Sequence, residues 1–328
     1  MKTYTLVVVR TCIMVIMFMT IGISVGQDKV AQDTLVAQQY FIKADSLSKD
    51  LQYNNAILSY QKALPIYQNA STWERVAECY NKIAVEQRKK SSYKESLYTA
   101  KKALDICTKY LKKDHRQEAF AYDHMGTYYR SYMVDNEKAL RYYEKALAIR
   151  KKIRVHYPKD ITKSFLAIGV LEFTKGNFKN SLKLFDQSLK ISLNEYSEKH
   201  YTIAKNYCYI GASYRSMELF DEAVEYYNKS LVLVKSDNSK RALDLQANIH
   251  INLGGIYRTL GQYDKALFFL HKSLSAKKEL NHVFDDAINS NYNSLGILYK
   301  KKGEYDKAIQ FYKKALSRYE KIMARVTT

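Results

Sequence analysis

Apolar and small residues recur along the chain at helical spacing, in a pattern that repeats every 40 to 43 residues. In most periods a small residue is followed four positions later by a bulky one and seven positions later by another small one. Positions i, i+4 and i+7 share one face of an α-helix, so this row predicts a helix that approaches a neighbour closely. Its first small residue recurs seven times, at Ala56, Ser96, Ala139, Ser181, Ala223, Ala266 and Ala308.

Another helix precedes this one in each period, and its own small residue lies 12 or 13 positions earlier. That residue is Ala44, Ala84, Gly126, Gly169, Gly211, Gly254 or Gly296. Three connections contain a further glycine, at Gly176, Gly261 and Gly303, where a left-handed residue would end the first helix. The pattern therefore predicts seven antiparallel hairpins, each with a first and a second helix. The 11 glycines and 2 prolines of the whole chain suit such long helices.

The sixth and seventh periods share one motif, LGGIYRTLGQYDKAL from Leu253 and LGILYKKKGEYDKAI from Leu295. These residues resemble the tetratricopeptide repeat, and the 42-residue spacing resembles the longer repeats of kinesin light chains. Similar arrays form sensory regions of bacterial regulators. The resemblance implies an all-α fold, a right-handed α-α superhelix of seven hairpins over residues 37–324. It also implies that the first helices line a concave groove for a protein or peptide.

A cation recurs four residues after the small residue of the first helix, and we call these positions the cation row. Its members are Arg88, Arg130, Arg215, Arg258 and Lys300. By the resemblance this row lies in the groove, where arginine would suit carboxylates. The alternative is a solvated helix end, because cations near a C-terminus favour the helix dipole.

The fourth period interrupts the cation row, since Phe173 stands at the cation position and Glu172 at the tyrosine position before it. Phe173 and Leu166 are expected to form an apolar notch within the groove. Asn81 and Asn293 resemble, in part, the asparagines with which such domains hold a peptide backbone. The complete set of residues for a carboxylate clamp is absent from the sequence.

No catalytic or cofactor-binding pattern stands out, and we expect neither an enzyme nor a bound cofactor. There is no phosphate-binding loop, and the seven histidines show no metal-ligand spacing. Cys79, Cys107 and Cys208 are too few and too scattered for a disulfide framework, so buried free thiols are expected.

Residues 1–26 differ from the rest of the chain. Lys2 and Arg10 are their only charges, and the apolar stretch that follows ends in the small residues Ser24 and Gly26. This arrangement predicts a signal peptide cleaved before Gln27, hence a periplasmic, envelope or secreted protein. An uncleaved anchor over residues 5–26 is the alternative. Residues 27–36 are expected to form a linker, and residues 325–328 a tail.

The net charge of +20, or +18 without Lys2 and Arg10, favours acidic partners. A non-enzymatic scaffold for an acidic or carboxylate-terminated protein segment is the leading interpretation. A sensory module that acts in trans on a signalling partner is the alternative. Nucleic-acid binding is less favoured, because export and the absence of a base-reading motif oppose it. The sequence leaves the oligomeric state open.

Overall fold

A computed structural model describes residues 32–197, 200–280 and 285–327, and over these ranges the chain forms fourteen α-helices and no strand. The first helices of the hairpins are α1 (32–49), α3 (Trp73–Lys89), α5 (Arg116–Tyr128), α7 (Ile161–Thr174), α9 (Tyr201–Ser216), α11 (Lys240–Thr259) and α13 (Asp285–Lys301). The second helices are α2 (Tyr53–Asn69), α4 (Tyr93–Tyr110), α6 (Asn136–Lys152), α8 (Phe178–Glu195), α10 (Phe220–Val234), α12 (Tyr263–Glu279) and α14 (Tyr305–Thr327). The all-α fold class is confirmed.

The described residues belong to two compact units. Unit 1 contains residues 32–48 and 52–124, and unit 2 contains residues 49–51 and 125–327. Within unit 1, the Phe41 and Tyr60 rings meet edge to face with their centroids 5.3 Å apart, inside a core that also buries Ala44. Within unit 2, α7, α9, α11 and α13 each pack most extensively on the second helix of their own hairpin. This pairing is the one that the spacing of small residues predicts.

The connection inside every hairpin places one residue in the left-handed region. These residues are Leu51, Ser91, Val134, Gly176, Glu218, Gly261 and Gly303, with φ between 55° and 82°. At Gly261, the amide of the following Gln262 donates to the carbonyl of Tyr257, which closes the end of α11. Glycine was expected here in three hairpins, and the other four use the same turn without it.

Glycines of the first helices in unit 2 provide space for bulky side chains of the second helices. A Cβ added to Gly169 would lie 2.5 Å from the Phe185 ring, and one on Gly126 would lie 2.6 Å from the Tyr143 ring. Gly211, Gly254 and Gly296 face Tyr227, Leu270 and Tyr312 in the same way. The small and bulky positions read from the sequence are therefore complementary surfaces of one interface.

The third hairpin has one more residue between its two small positions than the others, and the structure accommodates this residue at the end of α5. Residues Tyr129–Met133 form a π-helical turn directly after Tyr128, and Val134 follows with φ of 55°. A π-turn takes one extra residue without breaking the helix. The insertion leaves Tyr132, Met133 and Val134 exposed.

The outer boundaries of the array differ from those expected. Helix α1 already includes residues 32–36, which we assigned to a linker, and α14 continues to Thr327, beyond the expected start of the tail. Leu35 and Val36 continue the helix because the stretch contains no glycine or proline. The predicted signal segment, residues 1–26, lies outside the described residues. Of the helices that the structure describes, none has the length and apolar character needed to cross a bilayer.

Candidate functional site

Four members of the cation row belong to unit 2 and occupy equivalent positions on its first helices. Arg130, Arg215 and Arg258 are half-buried, and Lys300 is exposed. Arg130 lies in the π-turn, while the other three lie in the last turns of α9, α11 and α13. No described Asp or Glu forms a salt bridge with any of the four. Within the described part of the chain, these four side chains thus have no acidic partner.

Many lysines of the same unit are already paired with neighbouring acids. Lys229 Nζ lies 2.6 Å from Glu225 Oε1, and Lys302 Nζ lies 2.6 Å from Asp264 Oδ1. The helix dipole favours a cation near the C-terminus of a helix, which applies to Lys302 and the cation row but not to Lys229 within α10. The difference in pairing separates the cation row from the ordinary surface charge of unit 2.

Stacked aromatic rings join the first helix to the second beside the cation row. The residue before each cation is a tyrosine in four hairpins of unit 2, and its ring lies on an aromatic ring of the second helix. These pairs are Tyr129–Tyr142, Tyr214–Tyr226, Tyr257–Phe269 and Tyr299–Phe311, with centroids 5.4 to 5.5 Å apart. The stacking fixes the backbone from which each cation projects.

Among the described residues of the cation row in unit 2, Arg215 is held by a hydrogen bond to another side chain. Its Nη1 donates to Asn252 Oδ1 on α11 over 3.1 Å. A Cβ at Gly255, one turn further along α11, would lie 3.3 Å from Nη2 and 3.7 Å from both Cζ and Nε. The guanidinium therefore lies flat against the helix, and no carboxylate holds it there.

In the fourth hairpin, the predicted apolar notch is partly filled by the protein itself. The Phe173 ring lies 5.4 Å from that of Phe178, and Leu166 packs on the buried cluster around Phe185. Glu172 accepts hydrogen bonds from Lys175 Nζ and the Asn177 side chain. Burial opposes the ionised form of Glu172, but these hydrogen bonds outweigh it and lower its pKa. Glu172 thus has a role in the turn, where the other hairpins of unit 2 stack a tyrosine.

The two asparagines predicted for backbone binding differ in their surroundings. Asn293, in unit 2, is exposed and can reach a ligand. Asn81, in unit 1, is 4% exposed and donates from Nδ2 to the carbonyl oxygen of Gln117 over 2.9 Å. The Asn81 amide therefore holds α3 against α5 and does not belong to the proposed site. Arg88 also lies in unit 1, half-buried, with its Nε buried and without a partner.

The remaining reactive side chains have local explanations. Cys79, Cys107 and Cys208 are buried free thiols, as expected, and burial raises the pKa of each to about 12. Burial lowers the pKa of His250 to about 4, with a smaller effect from Lys272. Over the described ranges, no three His, Cys, Asp or Glu side chains form a group that could hold a metal ion.

Antiparallel hairpins with a repeated small-to-bulky interface and a repeated first-helix cation define a helical repeat protein. The sequence pattern of the tetratricopeptide repeat matches residues 85–152, 160–236 and 245–321, more than half of the chain. The chain belongs to this family. The fold is typical of protein-interaction scaffolds, and the resemblance seen in the sequence is confirmed.

Several known proteins are similar to this chain in sequence or in fold. Protein KINESIN LIGHT CHAIN-RELATED 2 of Arabidopsis thaliana is 25% identical over 268 residues, which are 77% of this chain and 37% of that protein. The chain thus spans about a third of this relative's length. The Rap conjugation gene regulator of plasmid pLS20, solved with the Phr* peptide, has a TM-score of 0.63 at 21% identity, over 88% of this chain and 74% of its own. A Rap protein complexed with Competence and Sporulation Factor has a TM-score of 0.63 at 18% identity, over 87% and 75%.

Proposed function

We propose that the chain is a non-enzymatic scaffold that binds an acidic or carboxylate-terminated protein segment along the first helices of unit 2. The observation that carries this proposal is the absence of acidic partners around Arg130, Arg215 and Arg258 in the described part of the chain. Charge-assisted hydrogen bonds to such half-buried cations contribute about 1.5–3 kcal/mol each. A repeat array also suits an extended ligand better than a compact one.

The ligand class is tested by selecting peptides from a random library displayed on phage against the purified full-length chain. We expect the selected peptides to be enriched in Asp and Glu, and their binding to weaken as salt is added. Enrichment of neutral or basic peptides would contradict the proposal. Nucleic acid is tested in parallel with a labelled single-stranded oligonucleotide, whose failure to compete with the selected peptides is the expected result.

A sensory module that acts in trans is the second candidate. One of the two Rap proteins named above is called a gene regulator and was solved with the Phr* peptide, and the other was solved with Competence and Sporulation Factor. A regulator of this kind would change its interaction with a second protein when the peptide binds. The two candidates are distinguished by whether the selected peptide alters capture of a partner or merely competes with it.

We also propose that residues 1–26 direct export, on the basis of Lys2, Arg10 and the apolar stretch that follows. N-terminal sequencing of the protein from its native cells should begin at or near Gln27. Met1 on protein in the membrane fraction would instead favour the anchor over residues 5–26. Met1 on protein in the cytoplasmic fraction would contradict both.

A further inference from the structure

We propose that Arg215 receives the ligand's carboxylate and that Asn252 and Gly255 position its guanidinium for this purpose. The inference rests on the proposed function and specifies one point of that site. Asn252 accepts a hydrogen bond from Nη1 of Arg215, and Gly255 leaves the space against which the guanidinium lies. Both positioning residues belong to α11, the first helix of the following hairpin.

Gly255 is the residue that the fold does not otherwise explain. A glycine inside a helix destabilises it relative to alanine. The adjacent Gly254 needs its small size, because an added Cβ would lie 2.9 Å from Leu270. At Gly255, the three atoms nearest to an added Cβ all belong to the flexible end of Arg215. The equivalent positions of the other hairpins in unit 2 hold Thr127, Val170, Ala212 and Ile297, so a side chain fits the fold there.

Asn252 matters because it is a neutral acceptor. An aspartate at this position would pair with Arg215 and satisfy its charge inside the protein. The amide oxygen instead fixes the direction of the guanidinium and leaves its charge uncompensated. A planar guanidinium held in this way presents its remaining N–H groups to a carboxylate with little further loss of side-chain freedom. Arg130 and Arg258 have no side-chain hydrogen bond of this kind among the described residues.

The test measures binding of a fluorescein-labelled hexaglutamate peptide with a free C-terminal carboxylate to the full-length chain. Asn252→Asp should weaken binding about tenfold, because it supplies Arg215 with an internal carboxylate. Asn228→Asp, an exposed position on α10, is the matched control for added negative charge and should change the affinity less than about twofold. Equal losses in the two variants would overturn the assignment of Arg215.

Gly255→Ile tests the second positioning residue, and copies the side chain that the next hairpin carries as Ile297. It should weaken peptide binding about tenfold in the wild-type background and have no further effect in an Arg215→Ala background. A further tenfold loss of affinity in the double variant would mean that the ligand itself occupies the space at Gly255. That result would contradict the positioning role.

Failure of the proposed function gives a different result. In that case the wild-type chain does not bind the labelled peptide, and the inference falls with it. If the wild type binds but Arg215→Ala binds equally well, the scaffold function stands and the assignment of Arg215 is wrong. Thermal unfolding of each variant, measured alongside, should show the folded state retained in all of them.

Discussion

Residue conformation in the connections between helices is set by position in the hairpin rather than by the presence of glycine. Glu218 has φ of 61° and Gly261 has φ of 72° at the same place in successive hairpins. The left-handed conformation costs a residue with a Cβ about 1 kcal/mol, a cost that glycine avoids. Hydrogen bonds that close the first helix keep Glu218 there despite this cost.

We expect Glu218→Gly to raise the free energy of unfolding by about 0.5–1 kcal/mol and Gly261→Ala to lower it by a similar amount. Urea denaturation followed by circular dichroism measures both variants. Opposite signs at the two equivalent positions are the expected outcome. A loss of stability in Glu218→Gly would mean that the glutamate side chain contributes more than its backbone conformation costs.

His250 occupies a position that holds a tyrosine or phenylalanine in every other hairpin. Burial lowers its pKa to about 4 from the ordinary value of 6.5, so the folded protein favours the neutral ring. The unfolded chain therefore binds more protons between these two values, and stability contributed by the neutral ring is lost as the pH falls through this range.

The variant His250→Tyr restores the residue of the neighbouring hairpins and removes this titration. Its melting temperature should fall less than that of the wild type when the pH is lowered from about 7 to about 4.5. The comparison is made by calorimetry in matched buffers. Parallel decreases in the two proteins would show that His250 does not contribute to acid sensitivity.

At the scale of the helices, two adjacent glycines of α11 have different roles. Gly254 faces Leu270, which is 2% exposed and cannot move aside. The three atoms nearest to a Cβ added at Gly255 belong to the movable end of Arg215. Alanine substituted at each of these two neighbours therefore compares the cost of overpacking at Gly254 with the gain in helix propensity at Gly255.

Gly254→Ala should destabilise the protein, because overpacking costs about 1–3 kcal/mol and exceeds the gain of about 1 kcal/mol in helix propensity. Gly255→Ala should stabilise it by about 0.5–1 kcal/mol, since the guanidinium needs to shift by only a few tenths of an ångström. Denaturant unfolding gives both values. Stabilisation by both substitutions would show that the interface between α11 and α12 is looser than the structure indicates.

Sequence spacing predicted the hairpins well, since the small positions recur in all seven periods and a bulky residue follows in six of them, with Ala100 as the exception. The extra residue between Gly126 and Ala139 was visible in the sequence, but its accommodation as a π-turn was not, because a longer loop would fit equally well. The hydrogen bond between Arg215 and Asn252 joins two different hairpins, so no short-range sequence pattern predicts it. Gly255 was the available signal, as a helical glycine that no turn or packing contact requires.

At the scale of the whole molecule, the proposed function depends more on where the excess positive charge lies than on how large it is. The exposed lysines Lys145, Lys229 and Lys272 lie on second helices over aromatic rings of their own hairpins. The three arginines of the cation row in unit 2, Arg130, Arg215 and Arg258, lie at the ends of first helices and form no salt bridge with a described acid. Both sets carry the same total charge. Reversing the charge of one set and then of the other therefore distinguishes a specific binding site from non-specific electrostatic attraction.

The most direct measurement compares two triple charge reversals by their affinity for an acidic peptide selected on the wild-type chain. Replacing Arg130, Arg215 and Arg258 with glutamate should abolish binding and retain the helical circular dichroism spectrum. Replacing the three exposed second-helix lysines, Lys145, Lys229 and Lys272, with glutamate should weaken binding only as far as added salt does. Equal loss in both variants, or retained binding in the arginine variant, would contradict an acidic-segment site on the first helices of unit 2.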